Sequence, residues 1–185
     1  MIDDLLQETE ANMKASVDAL EGALAAIRTG RASPALVEKV SVEYYGQPTP
    51  LIQLASISVP EPRSLLIKPY DAGALNDIEK AIQASDLGLT PNNDGKAIRL
   101  NLPVLTEDRR KELVKVVSGR LEEARVSVRN TRRDSIKDMR EYEQEKMISE
   151  DDLKRGEEAA QKLTDDYTLL INKIGIKKET EVMEV

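Results

Sequence analysis

The residues best suited to chemistry are a run of cations between Arg125 and Arg140. On a helix that turns about 100° per residue, six of them fall within an arc of roughly 140°. Five of the six are arginine, whose planar guanidinium forms paired hydrogen bonds with phosphate and is less strongly hydrated than a lysine ammonium. This basic stripe consists of Arg125, Arg129, Arg132, Arg133, Lys137 and Arg140. Its composition favours binding to phosphate groups.

The stripe has two interpretations, because charged helix faces often have a purely local role. The whole chain is acidic, with a net charge of −7. When the chain is divided into four segments, only residues 106–148 have a positive net charge, with twelve basic against ten acidic residues. No tyrosine is interleaved with the stripe, so phosphate and shape recognition of folded RNA is favoured over base stacking. The alternative is that the arginines pair with acidic residues of neighbouring helices.

Other chemistry finds little support in the composition. The chain lacks Cys and His, which removes thiol nucleophiles, disulfides, the commonest general base and the commonest metal ligand. It has no glycine-rich phosphate loop ending in Lys-Ser/Thr and no metal-ligand cluster. The first residues, MIDDLLQETE, lack the pattern of a signal peptide, and no apolar run is long enough to span a membrane. We therefore expect a cytoplasmic protein that is not an enzyme and holds no metal or cofactor.

Three helices must position these residues, and apolar seams mark them. The first is expected over residues 3–28, with Gly30 ending it in a left-handed conformation. The second should run from the N-cap Thr106 to about residue 146, and the third should start at Ser149, with Asp152 completing a capping box. We expect the third to continue past Gly175, because Val182 and Val185 keep the same face. The three seams are Leu6, Met13, Val17, Leu20, Leu24 and Ile27; Leu113, Val117, Leu121, Ala124, Val128, Met139 and Tyr142; and Leu153, Ala160, Leu163, Tyr167, Leu170 and Ile174.

Residues 31–105 have a different pattern, which indicates a small α/β domain. Alternation predicts strands over 40–45, 55–59, 65–68 and 97–102, and a turn over 46–50. Leu75, Ile78 and Ile82 lie on one side of a short helix. The fold class is therefore α+β: a long three-helix bundle (1–30 plus 106–185) with an inserted small β/α/β domain (31–105). Only two connections join the domains, so we expect a hinge at Gly30, Pro34 and Pro103.

Several stretches, in order along the whole chain, resemble the ribosome recycling factor family. They are RTGRASP at 28–34, VEYYG at 42–46, PTPL at 48–51, QLAS at 53–56, ASDLGL at 84–89, LTEDRRK at 105–111, ARV at 124–126, RN at 129–130, RRD at 132–134 and ISEDD at 148–152. One such motif is weak, but ten in sequence are specific.

The resemblance implies an L-shaped, hinged, monomeric protein that binds the post-termination ribosome. With elongation factor G and GTP, which that partner uses, such a factor promotes splitting into subunits and release from mRNA. The bundle would lie on large-subunit ribosomal RNA and the smaller domain would face elongation factor G. The implied RNA contacts, to which the stripe adds Arg125, are Arg129, Arg132, Arg133, Arg28, Arg31 and Arg110. A helical co-chaperone or coiled-coil scaffold remains the alternative, and an enzyme is the third and weakest interpretation.

Overall fold

The computed structural model describes residues 1–184, which form two compact units of discontinuous chain. The first unit combines Met1–Leu24 with Val114–Thr180, and the second combines Ala25–Leu113 with the residues from Glu181 onward. Residues 25–30, 106–113 and 181–184, which the sequence prediction assigns to the bundle, therefore lie in the second unit. The division of the chain at 30 and 105 stays a prediction about independent domains.

The described residues contain five α-helices and six strands. In chain order they are α1 (Ile2–Ala25), β1 (Ser41–Tyr44), β2 (Gln47–Pro50), α2 (Leu51–Leu54), β3 (Ala55–Glu61), β4 (Ser64–Pro69), α3 (Leu75–Ala84), β5 (Pro91–Asn93), β6 (Ile98–Asn101), α4 (Glu107–Gln144) and α5 (Glu150–Met183). A 3₁₀ turn covers Pro34–Leu36 and another covers Ala72–Ala74. Long helices and a small antiparallel sheet in one chain confirm the α+β class.

The long helices α1, α4 and α5 pack together in the first unit, which confirms the three-helix bundle. The buried hydroxyls of Thr9 on α1 and Ser135 on α4 are hydrogen-bonded at 2.8 Å. A side chain at Gly156 of α5 would meet both Met139 on α4 and Ile2 on α1. Most of the predicted α1 seam is buried, for example Met13 and Val17, but Ile27 lies beyond the end of the helix. The apolar seam residues of α4 from Leu113 to Met139 are buried, and Tyr142 is half-buried.

Of the predicted seam of α5, only Ala160 is fully buried, and the other predicted residues are half-buried or exposed. Ile171 is fully buried and Thr164 almost so, whereas the predicted Leu170 is 41% exposed. The buried face is otherwise lined by Gly156, Ala160 and Gly175. Such small residues let two helices approach closely, and they give no hydrophobic signal in the sequence. The predicted seam instead follows the larger leucines beside these small residues.

The starts of α4 and α5 follow the predicted capping chemistry. The backbone N–H of Arg109 donates to Thr106 Oγ1 at 3.2 Å. Ser149 and Asp152 form the reciprocal capping box: the Asp152 N–H donates to Ser149 Oγ at 3.1 Å, and the Ser149 N–H donates to Asp152 Oδ2 at 3.3 Å. Helix α5 continues through Gly175 to Met183, as expected. Val182 is buried, and Val185 lies outside the described residues.

The end of α1 differs from the prediction. The helix stops at Ala25, and Gly30 does not have a left-handed φ, so its predicted role as a left-handed helix stop is wrong. The segment after α1 is hydrogen-bonded to another part of the second unit, since the Ala32 N–H donates to the Pro62 carbonyl at 2.7 Å.

The second unit is built on a four-stranded antiparallel sheet in the order β3-β4-β6-β5, with β1 and β2 as a separate hairpin. Helix α3 buries Leu75, Ile78 and Ile82 into a core that includes Ile67 and Ile98, as their spacing predicts. Strand β2 was wrongly predicted as a turn, because its sequence QPTP holds two prolines. An edge strand tolerates proline, and β2 pairs only with β1. In the part of the chain that the structure describes, no helix combines the length and apolarity needed to cross a membrane.

Candidate nucleic-acid interface

Helix α4 carries the basic stripe along the first unit, on a face that differs from its buried seam. Val128, Ser135 and Met139 are buried on the seam side. The side chains of Arg129 and Arg140 remain 46% and 62% exposed. Because a long helix is a stiff element, the stripe holds its cations at fixed spacing.

The first two arginines of the stripe share one carboxylate on their own helix. Glu122 accepts from Arg129 at 2.7 Å and from Arg125 at 3.4 Å. These hydrogen bonds, with that from Arg129 the larger cause, lower the pKa of Glu122. Arg125 also donates to Asn172 Oδ1 on α5 at 2.7 and 3.1 Å. One carboxylate for two guanidinium groups leaves a net positive charge at this end of the stripe.

Two further cations of the stripe contact α5, with different consequences. Arg140 pairs with Glu157 at 2.9 Å, so the alternative interpretation, pairing with a neighbouring helix, applies to this residue. Arg132 donates to Gln161 Oε1 at 2.6 Å, a neutral partner. Its guanidinium is therefore held in place while its charge stays uncompensated.

Arg133 and Lys137 have no hydrogen-bond or ion-pair partner among residues 1–184. Both line an open groove of about 890 Å³ together with Arg132 and Arg140. The rest of the groove lining is mixed: Ile136, Glu141, Gln144, Glu145 and Gln161. Since Arg140 is paired with Glu157, three cations without an ion-pair partner face two carboxylates, so the groove is positive, and Gln161 adds an amide. Such a groove suits a phosphate-bearing strand.

The arginines of the second unit form a separate group. Arg28 donates to the Pro103 carbonyl, which ties the segment after α1 to the segment before α4. The pKa of Arg28 is lowered, chiefly by partial burial and also by the positive charge of Arg109. The Nε atoms of Arg28 and Arg110 are buried without a hydrogen-bond partner. Arg31 has an exposed side chain. Of the three predicted contact residues of this unit, Arg28 lies near another positive charge, Arg28 and Arg110 each have an unsatisfied Nε, and Arg31 is exposed.

The proposed hinge residues occupy the same connections. Ser33 Oγ accepts from the Ala35 N–H at 3.3 Å and starts the 3₁₀ turn at Pro34. A Cβ added to Gly30 would lie 3.6 Å from the Glu184 carbonyl oxygen, an ordinary contact. Pro103 accepts the hydrogen bond from Arg28. Their role in a hinge stays a prediction.

Residues that sequence reasoning missed are the α5 partners of the stripe. Gln161, Asn172 and Glu157 fix the guanidinium groups of Arg132, Arg125 and Arg140 in turn. No motif marks them, because their role depends on the register between α4 and α5. Within the described range 1–184, no group of three or more acidic, His or Cys side chains is arranged to hold a metal ion.

Fold and site together define a two-unit α+β protein whose helical bundle displays one long, arginine-rich face. The family model "Ribosome recycling factor" matches residues 20–183, so the chain belongs to the ribosome recycling factor family. The ribosome-recycling factors of Chloroflexus aurantiacus and Dehalococcoides mccartyi are 58% and 54% identical, each over 100% of both chains.

Solved structures agree with this membership. A solution structure of the ribosome recycling factor is 47% identical with a TM-score of 0.79, covering 100% of this chain and 98% of that one. Models of the T. thermophilus ribosome recycling factor, with E. coli elongation factor G, bound to the E. coli post-termination complex also match. There the identity is 44%, the TM-score 0.69 and the coverage 100% of both chains.

Proposed function

We propose that this chain recycles ribosomes: it binds the post-termination ribosome and, with elongation factor G and GTP, promotes splitting into subunits and release from mRNA. Family membership over nearly the whole chain supports this role. A related factor is placed on a post-termination complex together with elongation factor G. The chain would act as a cytoplasmic monomer, with no catalytic residue, metal or cofactor of its own, because GTP is used by the partner.

The basic stripe is the surface that we assign to large-subunit ribosomal RNA. The observation that carries this assignment is the groove in which Arg133 and Lys137 lack partners and Arg132 is held by a neutral amide. Because Gln161 holds the Arg132 guanidinium in place, Arg132 loses little freedom on binding, so its contact with a phosphate retains most of its energy. Arg125 and Arg129 would extend the contact along α4.

Arg28, Arg31 and Arg110 are proposed as further RNA contacts from the second unit. A phosphate near Arg28 would offset the repulsion from Arg109, which now helps to lower the pKa of Arg28. The remainder of this unit would meet elongation factor G, with Gly30, Pro34 and Pro103 as the hinge residues.

The variant Arg132→Ala tests the RNA contact. We expect its affinity for large ribosomal subunits to fall roughly 10- to 100-fold, since a charge-assisted hydrogen bond contributes about 1.5–3 kcal/mol. The slope of log affinity against log salt should also flatten by about one counterion. Binding is measured by co-sedimentation with purified subunits at several salt concentrations.

The matched control is Arg120→Ala, which removes the same charge from α4 outside the stripe, where Arg120 pairs with Glu123 at 3.1 Å. It should leave affinity nearly unchanged. Equal affinities for the two variants and the parent would refute the RNA contact. Light scattering with 70S ribosomes, elongation factor G and GTP tests the recycling function itself, and absence of splitting by the parent chain would refute it.

A further inference from the structure

The tip of the β1–β2 hairpin combines two features that do not favour stability. Tyr44 pairs with Gln47, so the loop between the strands is only Tyr45-Gly46, with φ of 49° and 75°. These values define a type I′ turn, whose first position favours Asn or Gly. A tyrosine with positive φ is strained there, because its Cβ crowds the backbone.

The Tyr45 side chain gains no burial in return. Its ring is 86% exposed, the largest value among the large hydrophobic residues that the structure describes as exposed. Among residues 1–184, the only ring that it meets is that of Tyr44, edge to face with centroids 4.5 Å apart. Neither the backbone nor the packing of this turn therefore accounts for a tyrosine at its tip.

A fixed carboxylate lies beside this pair of rings. The Tyr44 hydroxyl donates to Asp71 Oδ2 at 2.9 Å, and the Gly73 N–H donates to Asp71 Oδ1 at 2.9 Å. These two hydrogen bonds, with that from Gly73 the larger cause, lower the pKa of Asp71. The same contact raises the pKa of Tyr44 to about 12. Asp71 is therefore ionised at neutral pH, and it has no cationic partner within residues 1–184.

Carboxylates outnumber cations in the sequence around these rings. Residues 40–50 and 69–79 contain four carboxylates, and Lys39, Lys68 and Lys80 lie directly outside these segments. A second exposed tyrosine, Tyr70 at 73%, directly precedes Asp71. Tyrosine faces attract cations through the ring quadrupole, and a carboxylate adds a hydrogen-bond acceptor. A guanidinium uses both, since it stacks on a ring and donates within its own plane. The local negative charge repels RNA phosphates and favours a basic protein surface.

We propose that the hairpin tip, formed by Tyr45, Tyr44 and Asp71, is a docking site for an arginine side chain of a protein partner. The inference rests on the proposed function, because the ribosome with its bound elongation factor is where this chain would meet such a partner. The strained, exposed Tyr45 supplies the stacking face and Asp71 supplies the charge.

Two variants test the site while protecting the fold. Tyr45→Asn removes the ring but introduces a residue that the type I′ turn prefers, so its melting temperature should hold or rise. Asp71→Asn removes the charge and keeps an oxygen that accepts from Gly73. Each should raise the factor concentration for half-maximal splitting, with elongation factor G and GTP, by roughly 5- to 30-fold. Val59→Thr, at a position 41% exposed on β3, is the control and should match the parent.

Unchanged half-maximal concentrations for both variants would overturn the docking site. Photo-crosslinking from benzoylphenylalanine at position 45, on ribosomes with elongation factor G, identifies the partner. A crosslink to elongation factor G or a ribosomal protein is expected, and a crosslink to ribosomal RNA alone would overturn the proposal. If the parent chain split no ribosomes, the proposed function would fail, and the crosslinked species would still decide the docking site.

Discussion

Replacing Gly175 by alanine should reveal how closely α4 and α5 approach. A Cβ at this position would lie 2.4 Å from Leu121 Cδ1, 3.1 Å from Cδ2 and 3.3 Å from Cγ. Leu121 is only 4% exposed, so the whole isobutyl group must move within a packed interior. Overpacking of this kind costs about 1–3 kcal/mol, whereas Gly→Ala in a helix gains about 1 kcal/mol. The net effect should be a loss of about 0–2 kcal/mol.

Gly119→Ala is the matched control, because Gly119 lies within α4 and an added Cβ would meet nothing within 4 Å. It should stabilise by about 1 kcal/mol, or about 2–4 °C in melting temperature. The difference between the two variants isolates the overpacking cost, because the helix propensity gain cancels. Urea unfolding followed by far-UV circular dichroism measures both. Equal stabilisation by the two substitutions would refute the close approach, and Leu121→Ala should relieve the cost of Gly175→Ala.

Two further predictions concern polar groups of the bundle. Ser135→Ala should destabilise by about 0.5–1.5 kcal/mol, because the buried Thr9 hydroxyl loses one partner and keeps its hydrogen bond to the Leu5 carbonyl. In urea unfolding, a double variant with Thr9→Val should lose less than the sum of the single variants, and additive losses would contradict the pairing. Ser149→Ala should cost about 1 kcal/mol at neutral pH. Ser149 lowers the pKa of Asp152 below its ordinary 3.8, so the capping-box contribution is present above that pH and is lost as the pH falls through the lowered value. A cost that stayed constant between pH 7 and pH 2 would contradict the capping box.

The parts of the fold that the sequence predicts are those with a strong periodic signal. The buried face of α3 and the seam of α4 follow from large apolar residues at helical spacing. The caps Thr106 and Ser149 follow from local side-chain chemistry, which acts within a few residues. Structural features that depend on interactions between residues close in sequence can therefore be predicted from the sequence.

The sequence predictions fail where tertiary contacts determine the local structure. The core of α5 depends on small residues such as Gly156 and Thr164, which hydrophobic periodicity cannot detect. The position of Gly30 after a seam predicted a helix stop there, yet α1 ends at Ala25 and Gly30 has no left-handed φ. The cations of the basic stripe could be identified from spacing alone. Their separation into paired and free groups required the register of α4 on α5.

Discontinuity of the first unit imposes an order on its formation during synthesis. The hydrogen bond between Thr9 and Ser135 joins residues 126 apart, and 89 residues of the second unit, Ala25–Leu113, separate the two stretches of the bundle. Helix α1 therefore leaves the translating ribosome well before the helices that cover it. At a synthesis rate of about 5–20 residues per second, the apolar side of α1 stays uncovered for roughly 8–30 s, until the chain reaches Thr180. Most of the second unit has already been synthesised during that interval. Helix α1 is therefore the segment most exposed to chaperones and to misassociation in the nascent protein.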